Sequence, residues 1–238
     1  MSVTVGVVRF PGTNCDLDTF DALADIGTRT ELLRSDAASL GNADAVIIPG
    51  GFAYGDYLRT GAIARCSPVM SAVKAFAAAG GPVVGICNGF QVLTEAGLLP
   101  GALRRNAGLS FVCSPQRVVM ASVKHVLGHG LSPMEELSIP INHFEGNYVC
   151  DAATLRRLHA SGQVVMRYVD NPNGSTDDIA GVRNESGNVV GLMPHPERAT
   201  SELLGSADGC RLLGALTHAA AGFRRSGGRC RTPGIGIR

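Results

Sequence analysis

The sequence predicts an α/β fold, a mostly parallel sheet flanked by helices on both faces. Three observations carry this expectation. Short β-rich apolar runs such as Val3 to Val8 and Ala45 to Ile48 recur along the N-terminal part. Such β-rich, apolar runs are expected of central parallel strands. Between them lie stretches of helical periodicity, marked off by glycine and proline.

Val3 to Val8 is the first strand. The loop PGTN follows, with Thr13 or Asn14 placed to cap a helix whose apolar stripe is Leu17, Phe20, Leu23 and Ala24. Glu31 to Leu33 and Ala45 to Ile48 are the next strands, the latter stopped by Pro49-Gly50-Gly51. Ser67-Pro68 starts a helix with proline at its first position, a buried stripe of Val69, Val73, Phe76 and Ala77, and a stop at Gly80-Gly81. Pro82 to Ile86 is a strand and Asn88 to Ala96 a helix. From Leu109 the pattern changes to short strands: Val118 to Val123, Ile139 to Asn142, Val164 to Tyr168, Ile179 to Val182 and Val189 to Met193. Glu185 to Asn188 is a turn joining the last two. A final helix runs roughly from Leu203 to Ala221. Residues 1–222 thus form one domain, and 223–238 a basic tail without acidic residues, expected to be disordered.

The 238 residues fit one large α/β unit, and the 45% hydrophobic content supplies its core. A formal net charge of +1 gives no reason to expect nucleic acid or an acidic membrane as partner. No apolar stretch reaches the length of a membrane-spanning helix, and the N-terminal segment lacks a secretory pattern, so a cytoplasmic location is expected. Seven cysteines without a CxxC pair support neither a disulfide framework nor a zinc knuckle. Most read as small buried hydrophobes. His125, His129, His143 and Glu145 match no zinc spacing, and no metal is expected.

One cysteine has a different setting. Gly85-Ile86-Cys87-Asn88-Gly89 stands where an apolar strand becomes a helix. A nucleophile in this context sits on a sharp elbow, where side chains two residues to either side would strike neighbouring elements. The following helix N-terminus favours negative charge on the sulfur. Cysteine chemistry also needs a base. In Met193-Pro-His-Pro-Glu197, the prolines hold an extended segment in which His195 and Glu197 point the same way. That is the base and orienter of a triad. Pro49-Gly50-Gly51-Phe52 ends another strand, where a glycine turn can aim the N–H of Gly51 or Phe52 at an oxyanion. The N–H of Asn88 is the second donor.

GICNGFQ around Cys87, PGGFAYGDYLR at 49–59 and GLMPHPERA at 191–199 resemble the class I (triad) glutamine amidotransferases. More narrowly, RFPGTNCDLDTFDAL at 9–23 and YVDNPNGSTDDIAGVRNESGNVVGLMPHPER at 168–198 resemble the PurQ-type glutaminase subunits of phosphoribosylformylglycinamidine synthase. The similarity covers about residues 3–221. It implies a flavodoxin-like sheet and a thioester formed on Cys87 from glutamine, with His195 moving protons and Glu197 orienting it. Gln91, Gly50 and His143 are implied to lie beside the substrate. Ammonia would pass to a large PurL-like synthetase subunit, with a small PurS-like third subunit, in purine biosynthesis. ATP and Mg would belong to the synthetase, since this chain has no phosphate-cradling GxxxxGK loop. At 142–147 the chain reads NHFEGN, with Phe144 where the family has glycine, so a ring is expected to narrow the pocket. The segment 113–130 also departs from the family. Two other readings share the elbow: a cysteine hydrolase or peptidase on the same sheet, and an interaction module that has lost activity.

Overall fold

The computed structural model describes residues 3–228. The elements follow in chain order: β1 (Thr4–Arg9), α1 (Asp16–Asp25), β2 (Arg29–Arg34), β3 (Ala45–Ile48), α2 (Pro68–Ala78), β4 (Val83–Ile86), α3 (Asn88–Glu95) and β5 (Ala102–Arg104). Then come β6 (Val112–Met120), β7 (Glu136–His143), β8 (Asn147–Val149), α4 (Ala152–Ala160), β9 (Val164–Tyr168), β10 (Ile179–Arg183), β11 (Val189–Leu192) and α5 (Asp208–Arg225).

Nine strands form one sheet in the order β2-β1-β3-β4-β11-β10-β9-β6-β7. The pairs β2–β1, β1–β3, β3–β4 and β4–β11 are parallel. From β11 onward, β10, β9, β6 and β7 add in antiparallel fashion. Strands β5 and β8 pair separately. β3, β4 and β11 are buried along their whole length, as their unbroken apolar runs require; β10 is buried too, its final Arg183 donating to the carbonyls of Ser161, Gly162, Asn184 and Glu185. β6 and β7 alternate because one face meets solvent.

The chain leaves β1 toward one edge to make β2, and leaves β3 toward the other to make β4. Right-handed crossovers therefore put α1 and α2 on opposite faces. The reversal lies between β1 and β3, and the loops after those two strands meet there in a bridge between Thr13 and Gly51. A crevice at the carboxyl ends beside such a reversal is where an open α/β sheet binds its ligands.

Several elements differ from the sequence expectation. α1 is capped by Cys15 with no side-chain cap; Thr13 Oγ1 instead accepts from the N–H of Phe10 at 3.1 Å. Its buried face is Asp16, Thr19, Ala22 and Leu23, while Leu17 is 55% exposed. The ion pair between Arg9 of β1 and Asp16 turns the helix this way. β6 starts at Val112, because its polar first half, including Pro115 opposite Pro140, pairs with β7. α4 carries only one buried residue, Leu158, and is set by its Asp151 cap, which accepts from Thr154 N at 2.7 Å. Leu203 falls in a short turn, so α5 begins at Asp208. α5 continues past residue 222 to Arg225, and Phe223 packs edge-on against Phe76 of α2 with centroids 5.2 Å apart. The rest of the expected tail, residues 229–238, lies outside the described residues.

Candidate active site

Cys87 joins β4 to α3 with φ 50° and ψ −105°, a conformation most side chains avoid. The strain is held by three backbone bonds. Its N–H donates to Leu192 O of β11 at 2.8 Å, and its carbonyl accepts from Phe90 N at 3.0 Å and Gln91 N at 3.2 Å. The two glycines act as the motif requires. A Cβ on Gly85 would lie 2.6 Å from the carbonyl of Gly89, and one on Gly89 would enter the carbonyl of Ile48 in β3.

His195 stands just beyond β11, its N–H donating to Pro140 O of β7 at 2.8 Å. The segment after it is not extended as expected: Pro196–Arg198 forms a single 3-10 turn. The turn still brings Glu197 round to the ring. Glu197 Oε1 lies 2.6 Å from His195 Nδ1, and both side chains are sealed from solvent. Burial disfavours charge on this imidazole. The Glu197 carboxylate, then the neighbouring sulfurs of Cys87 and Cys15, outweigh it, so the His195 pKa stands well above its ordinary value. Nδ1 is committed to the carboxylate, and Nε2 has no partner of normal geometry in the protein. The sulfur of Cys87 and the ring of His195 line the same cavity. The structure thus brings Cys87 together with His195 and Glu197, which lie more than a hundred residues further along the sequence.

The sequence marks Cys15 only as a buried hydrophobe. It is buried, yet it also lies against the His195 ring. Its Sγ accepts from Arg198 at 3.2 Å, and Arg198 also binds Asp18. The ligand atoms of Cys15, His195 and Glu197 lie within 4.8 Å of one another, a spacing that could hold a metal ion. The short Nδ1–carboxylate bond and the guanidinium on the sulfur fit a held imidazolium better than a second cation. The other histidines do not gather: His125 accepts from Leu127 N and bonds Ser122 O, while His129 stacks on His218.

A cavity of about 330 Å³ opens beside Cys87, lined among others by Gly51, Asp56, Gln91, His143, Phe144 and Glu145. Gly51, with φ 143°, faces it; the N–H of Phe52 is taken by Gly12 O at 3.0 Å. Of the two candidate oxyanion donors this leaves Gly51. The N–H of Asn88, first residue of α3, lies outside the helical ladder beside the nucleophile. Its side chain ties the loop to the helix: Oδ1 accepts from Ala53 N, and Nδ2 donates to Asp56 and Gln91. Gly50 lies behind the cavity wall. A Cβ there would stand 2.7 Å from His195 Cε1, so its absence makes room for the ring. Gln91 lines the cavity while its amide supports the wall, Nε2 donating to Glu145 O at 2.5 Å. Phe144 lines the cavity with Arg105 over its ring at 5.8 Å. Burial, and then the neighbouring Glu145 carboxylate, push the Asp56 carboxyl up to about 6 against the hydrogen bond from Asn88.

A thiol on a strained elbow, an imidazole locked to a carboxylate and a crevice at the sheet's reversal define a cysteine-nucleophile site of the triad type. The family model described as CobB/CobQ-like glutamine amidotransferase domain matches residues 2–208, and the chain belongs to this family. It is 57% identical over 221 residues to the phosphoribosylformylglycinamidine synthase subunit PurQ of Rubrobacter xylanophilus, covering 92% of this chain and 99% of that protein. It is 52% identical over 224 residues to the protein of the same name from Lacticaseibacillus casei, covering 94% and 98%. Among solved structures, that of PurLQS from Thermotoga maritima superposes with a TM-score of 0.84 at 40% identity, covering 92% of this chain and 99% of that one.

Proposed function

We propose that this chain is the glutaminase subunit of a phosphoribosylformylglycinamidine synthase. It hydrolyses glutamine to glutamate and ammonia, and the ammonia serves the ATP-dependent conversion of formylglycinamide ribonucleotide to its amidine. The observation that carries the reading is identity of 50–57% over at least 91% of the chain to four PurQ proteins. The buried Cys87, His195 and Glu197 constellation supplies the chemistry.

On this reading the Cys87 sulfur attacks the carboxamide carbon, and the oxyanion is met by the N–H groups of Gly51 and Asn88. His195 Nε2 gives a proton to the departing nitrogen, so the carbon–nitrogen bond breaks and ammonia leaves a thioester. A water then attacks, and His195 takes its proton as glutamate is released. Glu197 keeps the imidazole oriented throughout. The partners are a large PurL-like synthetase and a small PurS-like protein. ATP and Mg would bind the synthetase, and the reaction would run in the cytoplasm. Among the described residues no helix is long and apolar enough to cross a membrane.

The test is ammonia release from glutamine by the purified chain, alone and with its partners. Release should rise when the partners are present and disappear in Cys87→Ala. Glutamine left untouched by the full assembly, with a peptide or ester cleaved instead, would overturn the reading.

A further inference from the structure

The cavity wall holds a second imidazole, His143, buried against Gly146, whose protonation pattern the protein fixes by geometry. Asn106, in the loop after β5, is 1% exposed. Its side chain faces four groups. Nδ2 lies 2.9 Å from Ser110 O and 3.0 Å from His143 O. Two carbonyl oxygens can be met only by the NH2 group, so the orientation of the amide is settled. The opposite atom, Oδ1, accepts from Gly146 N at 3.1 Å and faces His143 Nδ1 at 3.1 Å. An amide oxygen cannot donate, so Nδ1 of His143 must carry a hydrogen.

The remaining nitrogen follows from charge. Burial, and then the charge on nearby His195, push the His143 pKa down to about 4, so the ring is neutral. Nε2 therefore presents a lone pair. It is buried and has no partner in the protein, as is the case for Nε2 of His195. A buried acceptor left unmatched is costly unless a ligand meets it. His143 ends β7 beside the reaction centre. The carbonyl of its neighbour Asn142 is 3.6 Å from Cys87 Sγ, and both residues line the cavity with Cys87 and His195.

We propose that His143 Nε2 is the acceptor that recognises an N–H of the substrate carboxamide, and that Asn106 is the positioning residue that fixes it in that form. This rests on the glutaminase reading above. The two unmatched nitrogens are complementary: a protonated His195 offers a hydrogen and His143 offers a lone pair. The carboxamide nitrogen needs both. It takes the proton from His195 as its bond to carbon breaks and the electron pair stays on nitrogen, while an N–H remains on His143. A carboxylate has no N–H and would set an oxygen against that lone pair. The pair thus discriminates glutamine from its product glutamate. Sites built around a buried hydrogen bond reject analogues lacking the donor far more strongly than apolar pockets do.

The experiment uses the complete assembly with its partners and compares kcat/KM for glutamine with the inhibition constant for glutamate. His143→Leu should lower kcat/KM about 100-fold while glutamate binds as well or more tightly. His143→Gln, whose amide oxygen restores an acceptor, should recover at least about 10-fold of this loss. On the isolated wild-type chain, nitrogen NMR of the imidazole should show the hydrogen on Nδ1 and no protonation between pH 7 and roughly pH 5. Discrimination within about twofold of wild type in His143→Leu would overturn the proposal, as would a hydrogen found on Nε2. Failure of the wild-type assembly to release ammonia at all would remove the glutaminase reading, and the proposal with it.

Discussion

Glu197 Oε1 stands 2.6 Å from His195 Nδ1 at a site where neither side chain meets water. The carboxylate is what allows a buried imidazole to keep a proton against the desolvation cost. In Glu197→Gln the hydrogen bond can survive but the charge is lost. We expect kcat to fall roughly 10²–10⁴-fold, the range of a lost general acid–base device. Steady-state ammonia release by the full assembly measures this.

The same pair leaves a mark on stability. Because the folded pKa of His195 is raised, the folded chain holds that proton more tightly than the unfolded chain does. The stabilisation is complete below the ordinary value of 6.5 and is lost as pH rises from there through the folded pKa. The wild-type Tm should therefore decline along this limb, and the decline should be shallower in Glu197→Gln. Thermal unfolding across that pH range checks it; parallel curves would count against the buried ion pair.

Asp56 works in the opposite sense to an ordinary carboxylate. Its pKa rises from 3.8 to about 6, so ionisation costs the folded state, and stability is lost as pH climbs through that window. Asp56→Asn retains an oxygen to accept from Asn88 and should be more stable than wild type at pH 7. Discounted for its half-exposed position, the gain is about 1 kcal/mol. Denaturant unfolding should show the gap closing below pH 4, roughly the ordinary carboxylate value.

The backbone of Cys87 stores strain at φ 50°. Glycine tolerates this region, whereas alanine does not. Cys87→Gly and Cys87→Ala both lack the thiol, yet the glycine variant should be the more stable by about 1 kcal/mol. Urea midpoints for the two variants measure this directly, and an alanine variant of equal or greater stability would show the elbow to be relaxed.

Gly50→Ala tests the room left for the ring. The added methyl would meet His195 Cε1 at 2.7 Å and displace it. A kcat loss of roughly 10–100-fold, with little change in glutamine KM, is expected from such a misplacement.

The centre of this site is legible in the sequence because its signals are local. The two glycines around Cys87 declare a backbone constraint within a few residues, and Glu197 stands only two positions from His195, although the extended segment expected from the prolines is a 3-10 turn. Where the signal is not local, the sequence is silent. Asn106 meets His143 and Gly146 from far along the chain, and Cys15 meets Arg198 from nearly the opposite end. No spacing announces such contacts. The apolar stripe of α1 misleads because Asp16 turns inward to meet Arg9, an ion pair that overrides the pattern. The first half of β6 is hidden because it alternates with polar residues and includes Pro115. α4 is only faintly marked, a helical stretch around His159, because Leu158 alone lies on its buried side.

Two thiols, Cys15 and Cys87, act on the same imidazole, and only Cys87 stands on the strained elbow suited to the covalent step. Rapid quenching of the assembly during glutamine turnover, followed by peptide mapping by mass spectrometry, tests that assignment most directly. A glutamyl adduct on the peptide containing Cys87, and none on the peptide containing Cys15, is the predicted result. An adduct on Cys15, or undiminished turnover in Cys87→Ala, would contradict it.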